Sequence, residues 1–226
     1  MPRHTSSKTT PEDPSREHWS GEDEQQLLER VKLTEAAFED AMLRLSRYYS
    51  KVDRPGTALS YMERLNGCTS DPEKKAFCLL SMGQLMEQSR EYDTALEYYG
   101  QAMMLEPSNS TSWYFIHNNM GCCLNHTERF EEAEGYCRDA IRIDPGRYNA
   151  HINLGVSLEA QDRFIDAARS FLDAIKANAD DLELVQHLEE LVSDHEEIAS
   201  DIANIEQFLK TYRESSTEID PDEGYN

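Results

Sequence analysis

Histidine and cysteine side chains in the middle of the chain are the residues that could bind a metal ion. His117, Cys122, His126 and Cys137 supply the imidazole and thiolate ligands that zinc prefers. Their spacings match no known zinc cluster, and the two cysteines are predicted on different helix faces. Because buried cysteines often act as small apolar side chains, we expect these residues to pack inside the protein. We therefore predict no metal site and no cofactor.

Catalytic motifs are also missing from the sequence. It contains no P-loop, no GxGxxG after a strand, no HExxH and no GxSxG. The chain has 44 acidic residues, and those in the predicted helices lie on polar faces, where carboxylates are solvated. We therefore predict that the protein is not an enzyme.

Three glycines, Gly83, Gly121 and Gly155, mark one pattern that occurs three times. Each follows an apolar residue and precedes two alanines, twelve and nineteen residues later. These alanines are Ala95 and Ala102, Ala133 and Ala140, and Ala167 and Ala174. The glycines are separated by 38 and then 34 residues, and a repeat of this length predicts stacked helical hairpins.

The residues around each glycine have the periodicity of two amphipathic helices joined by a polar corner. A glycine has no Cβ, so it lets two helix backbones approach closely, and the alanines do the same from the second helix. Tyr99, Cys137 and Phe171 are expected to fill the gap to the next hairpin. One hairpin cannot bury its apolar face alone, so neighbouring hairpins must stack.

These residues resemble the tetratricopeptide repeat (TPR) family over residues 73–180. The small positions match in all three copies, which we place at 73–107, 111–145 and 148–180. The family's proline is present as Pro107 and Pro145, whereas the third copy has Ala179 there. The tryptophan that usually starts the pattern is replaced, and Leu79, His117 and His151 stand in its place. The resemblance implies an all-α superhelix that holds another protein on its concave face.

A fainter copy precedes these repeats. Ala58 aligns with Ala95, and the apolar residues of the preceding stretch form one helical face. We predict a degenerate TPR-like hairpin over residues 23–66 that caps the stack, preceded by a disordered tail over 1–22.

The net charge of −22 is concentrated near the end of the chain. Residues 181–226 hold 14 acidic and two basic residues, which accounts for 12 of the 22 excess negative charges. This block disfavours nucleic acid and anionic membrane as partners, and it either favours a basic partner or simply keeps the protein soluble. Five cysteines without a CxxC pair, and no apolar run long enough for a signal or a membrane span, predict a cytoplasmic protein.

Residues 182–213 contain neither glycine nor proline, and their apolar residues alternate in steps of four and three. That spacing is typical of a coiled-coil seam, which would make a homodimer. The alternative is two helices, about 181–192 and 194–213, of which the first covers the apolar end of the last repeat. We favour this cap, because Ser193 to Glu196 has the form of a capping box. An acidic disordered tail is predicted over 214–226.

The concave face would be lined by residues two before and one after each glycine, and by those one turn away. Asn119 and Asn153 are the first candidates, because a side-chain amide can pair with a peptide backbone without reading its sequence. The predicted groove residues are Phe77, Ser81, Gln84, Phe115, Asn118, Asn119, Asn149 and Asn153. No lysine or arginine occupies these positions, so we expect a neutral, apolar or basic peptide and not a carboxylate.

The sequence thus predicts a non-enzymatic module that binds a peptide or protein segment, as an adaptor or an assembly scaffold. The alternative is a small acidic chaperone for a secreted or exported bacterial protein.

Overall fold

The computed structural model describes residues 21–178 and 181–217, with side chains over 34–178 and 181–212. Eleven α-helices and no strand are found in these ranges. The helices are α1 Gly21–Lys51, α2 Pro55–Cys68, α3 Pro72–Gln88, α4 Tyr92–Met104, α5 Ser110–His126, α6 Phe130–Ile143, α7 Tyr148–Glu159, α8 Phe164–Ala177, α9 Leu182–Asp194, α10 Glu196–Asp201 and α11 Ile205–Thr217. The predicted all-α superhelix is confirmed.

The first eight helices form four hairpins, α1–α2, α3–α4, α5–α6 and α7–α8. In each corner one residue has positive φ and lies five residues before a buried alanine. These corner residues are Asp53, Arg90, Glu128 and Asp162. The next amide closes the corner by a hydrogen bond to the carbonyl five residues back, as Glu91 does to Met86 at 2.9 Å. One corner geometry is therefore used four times.

The repeated glycines are the points of closest approach within three of the hairpins. A Cβ on Gly83 would overlap the ring of Tyr99, and a Cβ on Gly155 would overlap Phe171. In the middle hairpin a Cβ on Gly121 would lie 2.5 Å from Cys137 Sγ. The three larger side chains thus fill the space at the glycine of their own hairpin, whereas we expected them to fill the gap to the next one.

The first hairpin follows the same plan with different residues. Ser46, which is buried, lies twelve residues before Ala58, where the other hairpins have glycine. Met62 takes the position of Tyr99 and is also buried. The unbranched side chain of Met62 can adapt to its surroundings, whereas an aromatic ring cannot. A serine at position 46 is therefore small enough to let the two helices approach each other.

The four residues added after Pro107 form a loop that is attached to the first turn of α3. The carboxylate of Glu73 accepts hydrogen bonds from the Ser108 and Asn109 amides at 2.8 and 3.3 Å. Trp113 Nε1 donates to the Pro107 carbonyl at 2.6 Å. The longer connection therefore keeps α5 in register with α3.

The C-terminal segment contains three helices, where we predicted one or two. Helix α9 ends at Asp194 and α10 begins after His195, so no helix begins at Ser193 and the predicted capping box there is wrong. The ring of His195 at this break stacks on Phe164, with centroids 3.6 Å apart. A second break follows at Ile202, and Asn204 has positive φ. The seam side chains instead pack inside the chain, in the same apolar cluster as residues of α8: Leu184, Leu188, Leu191, Ile198, Ile205 and Leu209 are buried there.

These bounds also bear on the predicted tails. Helix α11 runs to Thr217, so the first residues of the predicted tail 214–226 are helical. Residues 1–20 and 218–226 lie outside the described residues.

Replacing Gly155 with alanine is expected to lower the free energy of unfolding by about 1–3 kcal/mol, because the added methyl group overlaps the buried ring of Phe171. Urea denaturation followed by circular dichroism measures the change. Gly135→Ala is the matched control, since a Cβ there meets nothing within 4 Å, and it should stabilise the helix by about 0.5–1 kcal/mol. Equal effects of the two substitutions would contradict the close approach.

Candidate peptide-binding groove

The first helices of the hairpins line the inner side of the stack. Helix α3 contacts α5, and α5 contacts α7, in addition to the contacts within each hairpin. In a curved solenoid the helices that lie closest together line the concave face. Two clefts open on this face, one between α1 and α3 and the other between α3 and α5.

The α1–α3 cleft has a volume of about 340 Å³. Three predicted groove residues, Phe77, Ser81 and Gln84, line it, and Phe77 is 42% exposed. The Ser50 hydroxyl on α1 donates to Gln88 Oε1 on α3 at 2.8 Å and links the two walls. Its other lining residues are Leu43, Ser46, Arg47, Lys51, Met62 and Leu85.

The α3–α5 cleft has a volume of about 380 Å³ and is more polar. Gln84 and Gln88 line both clefts, so the two lie next to each other along the face. Tyr92 stacks on His126 with ring centroids 4.3 Å apart and forms one wall. Its remaining lining residues are Glu87 and Asn119.

The asparagines that we predicted as ligand-binding residues are largely used inside the protein. Asn118 and Asn119 are each 7% exposed. Asn118 Nδ2 donates to Asn119 Oδ1 at 3.0 Å, and Asn153 Nδ2 on the next hairpin donates to Asn118 Oδ1 at 3.2 Å. Asn119 Nδ2 lies 3.4 Å from the hydroxyl of Tyr99. Among the three, Asn119 alone lines one of the two clefts.

The other two predicted groove residues lie near the start of their helices, and neither lines these clefts. Phe115 is half-buried on α5, with the guanidinium of Arg147 5.0 Å from its ring centroid. Asn149 is exposed in the first turn of α7. A contact between a ligand and these residues, or Asn118 and Asn153, stays a prediction.

The partly buried carboxylate of Glu87 continues this hydrogen-bond chain. Tyr99 donates to Glu87 Oε2 at 2.8 Å, and Cys122 Sγ lies 3.6 Å from Glu87 Oε1. Burial, and then the nearby Glu87 carboxylate, raises the pKa of Tyr99 well above its usual value. The same two causes raise the pKa of Cys122 to about 12. Both groups are therefore protonated donors at neutral pH, and the thiol is a poor nucleophile.

The residues that suggested a metal site are not brought together. His117 Nδ1 is 2.8 Å from the Trp113 carbonyl, and its ring lies between the rings of Trp113 and Tyr136. Burial raises the pKa of Cys137 to about 12. No group of three His, Cys, Asp or Glu side chains in the described part of the chain could hold a metal ion.

Two cations in the α1–α3 cleft, Arg47 and Lys51, were missed by the sequence analysis. Helix α1 lacks the Leu-Gly pair, so its groove positions could not be aligned on a glycine. The sequence signal that could have aligned them is Ser46, a small residue that lies twelve residues before Ala58. It places Arg47 one residue after Ser46, equivalent to Gln84 one residue after Gly83.

Comparison with known sequences points to helical-repeat proteins. A family model for the coatomer epsilon subunit matches residues 104–203. A BBSome complex member BBS4 homolog of Drosophila melanogaster is 29% identical over 89 residues, 39% of this chain and 18% of that protein. A DnaJ homolog subfamily C member 7 homolog of Dictyostelium discoideum is 29% identical over 82 residues, 36% of this chain and 15% of that protein. The chain spans less than a fifth of the length of these relatives.

Solved structures show the same architecture at low sequence identity. MamA of Desulfovibrio magneticus RS-1, from residue 41 to its end, superposes with a TM-score of 0.61 at 16% identity, over 81% of this chain and 98% of that one. The Hsp90 co-chaperone Cns1 of Saccharomyces cerevisiae gives a TM-score of 0.54 at 13% identity, over 66% of this chain and 46% of that one. At these identities the likeness shows the fold alone.

Four hairpins stacked side by side, with a groove on their inner face, define an α-solenoid. The glycine and alanine pattern of its hairpins resembles the tetratricopeptide repeat, and the fold is the TPR-like α-α superhelix that the sequence predicts. None of the described helices is both long enough and apolar enough to cross a membrane.

Replacing Asn119 with alanine is expected to lower the free energy of unfolding by about 1–3 kcal/mol, because it leaves the buried amide of Asn118 without an acceptor. Asn149→Ala is the matched control, since Asn149 is exposed, and its effect should stay within about 0.5 kcal/mol. Thermal denaturation followed by circular dichroism measures both. An unchanged melting temperature for Asn119→Ala would show that these amides do not hold the hairpins together.

Brief treatment with iodoacetamide at pH 7.5 is expected to label Cys68 first, because it is the exposed thiol among the five cysteines. Burial raises the pKa of Cys78, Cys122 and Cys137, so those thiolates are scarce at this pH. Peptide mass spectrometry locates the label, and Cys68→Ser should remove the fast reaction. Labelling of Cys137 at the rate of Cys68 would contradict the buried position of Cys137.

Proposed function

We propose that this protein is a non-enzymatic interaction module that binds an extended peptide or protein segment in the groove formed by the α1–α3 and α3–α5 clefts. It acts as an adaptor or an assembly scaffold. The observation that carries this proposal is that the two clefts lie side by side and share Gln84 and Gln88, because one extended segment can cross from one to the other.

The side chains of the groove suit a peptide ligand. Phe77 is an exposed aromatic residue, and such residues often anchor the apolar side chains of a partner. Gln84 and Ser81 offer donors and acceptors for a peptide backbone beside it. Tyr99 and Cys122 nearby are protonated at neutral pH, so neither is an activated nucleophile.

The comparisons support a role in assembly. The matching family model describes a coatomer subunit, and the Drosophila relative is named as a member of the BBSome complex. Cns1 is named as an Hsp90 co-chaperone. Repeat solenoids commonly hold other proteins on their concave surface, and a part in a larger complex accords with that use.

Affinity purification with a matched pair of variants tests this proposal. Phe77→Ala with Gln84→Ala removes one aromatic residue and one amide from the groove. Gln101→Ala with Met104→Ala removes a comparable pair from exposed positions on α4, a second helix of the stack. The groove variant should lose the proteins that the wild type and the α4 variant retain, while all three melt at similar temperatures.

The identity of the retained proteins separates the alternatives. Several cytosolic partners would support the adaptor, and a single exported protein would favour the export chaperone instead. If the groove variant and the α4 variant retain the same partners, binding does not use this groove.

A further inference from the structure

We propose that a groove between α6 and α8 binds the side chain of Tyr225, which belongs to the acidic segment 218–226 of this chain. This groove lies on the outer side of the stack, between second helices, and shares no lining residue with the two clefts of the inner face. Its occupancy therefore does not depend on the proposed function.

Neighbouring second helices are held apart, and a tyrosine lies in the gap between them in the earlier hairpins. The first helices α3, α5 and α7 are in contact, whereas α4, α6 and α8 are further from one another. Tyr98 on α4 and Tyr136 on α6 occupy the same position, fifteen residues after Gly83 and Gly121. Both are half-buried and pack against the apolar cluster of the first five helices. A large ring at this position thus fills the space that opens between second helices where the stack curves.

The last hairpin has a serine at this position. Ser170 follows Gly155 by fifteen residues, and its hydroxyl donates to the Asp166 carbonyl at 3.0 Å. Because a serine cannot fill the space of a tyrosine ring, a cavity of about 470 Å³ opens between α6 and α8. Leu154 and Leu158 of α7 are buried and line it. This volume is within the range of ligand pockets, roughly 300–1,000 Å³.

The cavity has the surroundings that the tyrosine has one hairpin earlier. There the ring of Tyr136 lies beside the ring of His117, with centroids 5.8 Å apart, and Asp139 Oδ2 is 3.9 Å from His117 Nε2. His151 and Asp173 occupy the equivalent positions on α7 and α8, and both line the cavity. The lining is therefore that of a tyrosine site, and an aromatic ring from another segment can take the same place.

The rim of this groove favours an acidic segment. Three exposed arginines, Arg138, Arg142 and Arg169, line it together with two aspartates, so its charged side chains sum to about +1. The whole chain, in contrast, has a net charge of −22. Each of these arginines already has a carboxylate within 4 Å, but a guanidinium has five N–H donors and can bind a second one.

Segment 218–226 has a composition that suits the groove and is long enough to reach it. It contains four acidic residues and no basic one, and Tyr225 is its single aromatic residue. Leu209 of α11 is buried in one apolar cluster with Phe171 of α8, so α11 lies against the same core as α8. Helix α11 ends at Thr217, about 12 Å beyond Leu209, and the next eight residues span up to about 26 Å. This span exceeds the length of α8, about 21 Å, so the tyrosine can return across α8 to the groove.

Photo-crosslinking on the full chain tests this assignment. Tyr225→p-benzoylphenylalanine places a benzophenone at the tyrosine; on irradiation its ketone carbon bonds to a nearby carbon, and the hydrogen of that carbon moves to the ketone oxygen. The expected product is a cross-link within one chain to peptides that contain Ile141, Leu154 or Leu158, located by mass spectrometry. The free peptide of residues 218–226 at about 1 mM, comparable with a tethered segment, should lower the yield at least about twofold. The same peptide with alanine in place of its tyrosine should not.

A variant that fills the groove locates the effect. Ser170→Tyr supplies the ring that Tyr136 supplies one hairpin earlier, so it should lower the cross-link yield at least about tenfold, the factor that burial of an aromatic side chain provides. Its melting temperature should equal or exceed that of the wild type. Gln186→Tyr adds the same ring at an exposed position on α9 and should leave the yield unchanged.

Three results would overturn the inference. A cross-link between two chains would place the tyrosine on a second copy, and labels spread over other surfaces would show that the groove is not its site. An unchanged yield in a folded Ser170→Tyr variant would show the same. If that variant does not fold, the peptide competition decides, and equal competition by the alanine peptide would overturn the inference. None of these results affects the partners lost by Phe77→Ala with Gln84→Ala, so the proposed function is tested separately.

Discussion

The close approach of two helices at a repeated glycine is the contact on which the remaining structure depends. At Gly83 and Gly155 the space that a Cβ would occupy is taken by an aromatic ring from the second helix of the same hairpin. This contact sets the distance between the two helices and leaves the outer sides of the hairpin free to stack. Stacking in turn brings α3, α5 and α7 side by side, and the groove lies on the face that they form.

Polar groups then link one hairpin to the next. The chain of hydrogen bonds from Glu87 through Tyr99, Asn119 and Asn118 to Asn153 crosses three hairpins. A buried amide without a partner costs free energy, so slipping one hairpin past another would break several bonds at once. The apolar contacts hold the hairpins together, and this polar chain favours one register between them.

Much of the fold could be predicted from the sequence, because its main requirement is local. Glycine and alanine are needed wherever two backbones come close, so their spacing located the hairpins. The helix breaks at His195 and Ile202 were harder to predict, because the seam keeps its spacing across both, and packing against α8 determines where the chain turns. Burial of Asn118 likewise depends on a partner from the next hairpin, which periodicity within one hairpin does not reveal.

Part of the cleft lining could be predicted for a similar reason. Phe77, Ser81 and Gln84 follow from the repeat, whereas Arg47 and Lys51 come from a helix whose glycine is replaced by Ser46. The cleft is formed by residues of α1 and α3 that are about 35 positions apart in the sequence. The distance between those two helices in space cannot be read from the sequence.

The C-terminal helices have a consequence for self-assembly. An uncovered last hairpin would present an apolar end that matches the start of another stack, and such head-to-tail contacts grow into filaments because nothing closes them. Helices α9 to α11 bury that end under their own apolar seam and turn exposed acidic side chains outward. The described stack therefore presents an acidic, non-apolar surface at this end, where the uncovered hairpin would have presented an apolar one.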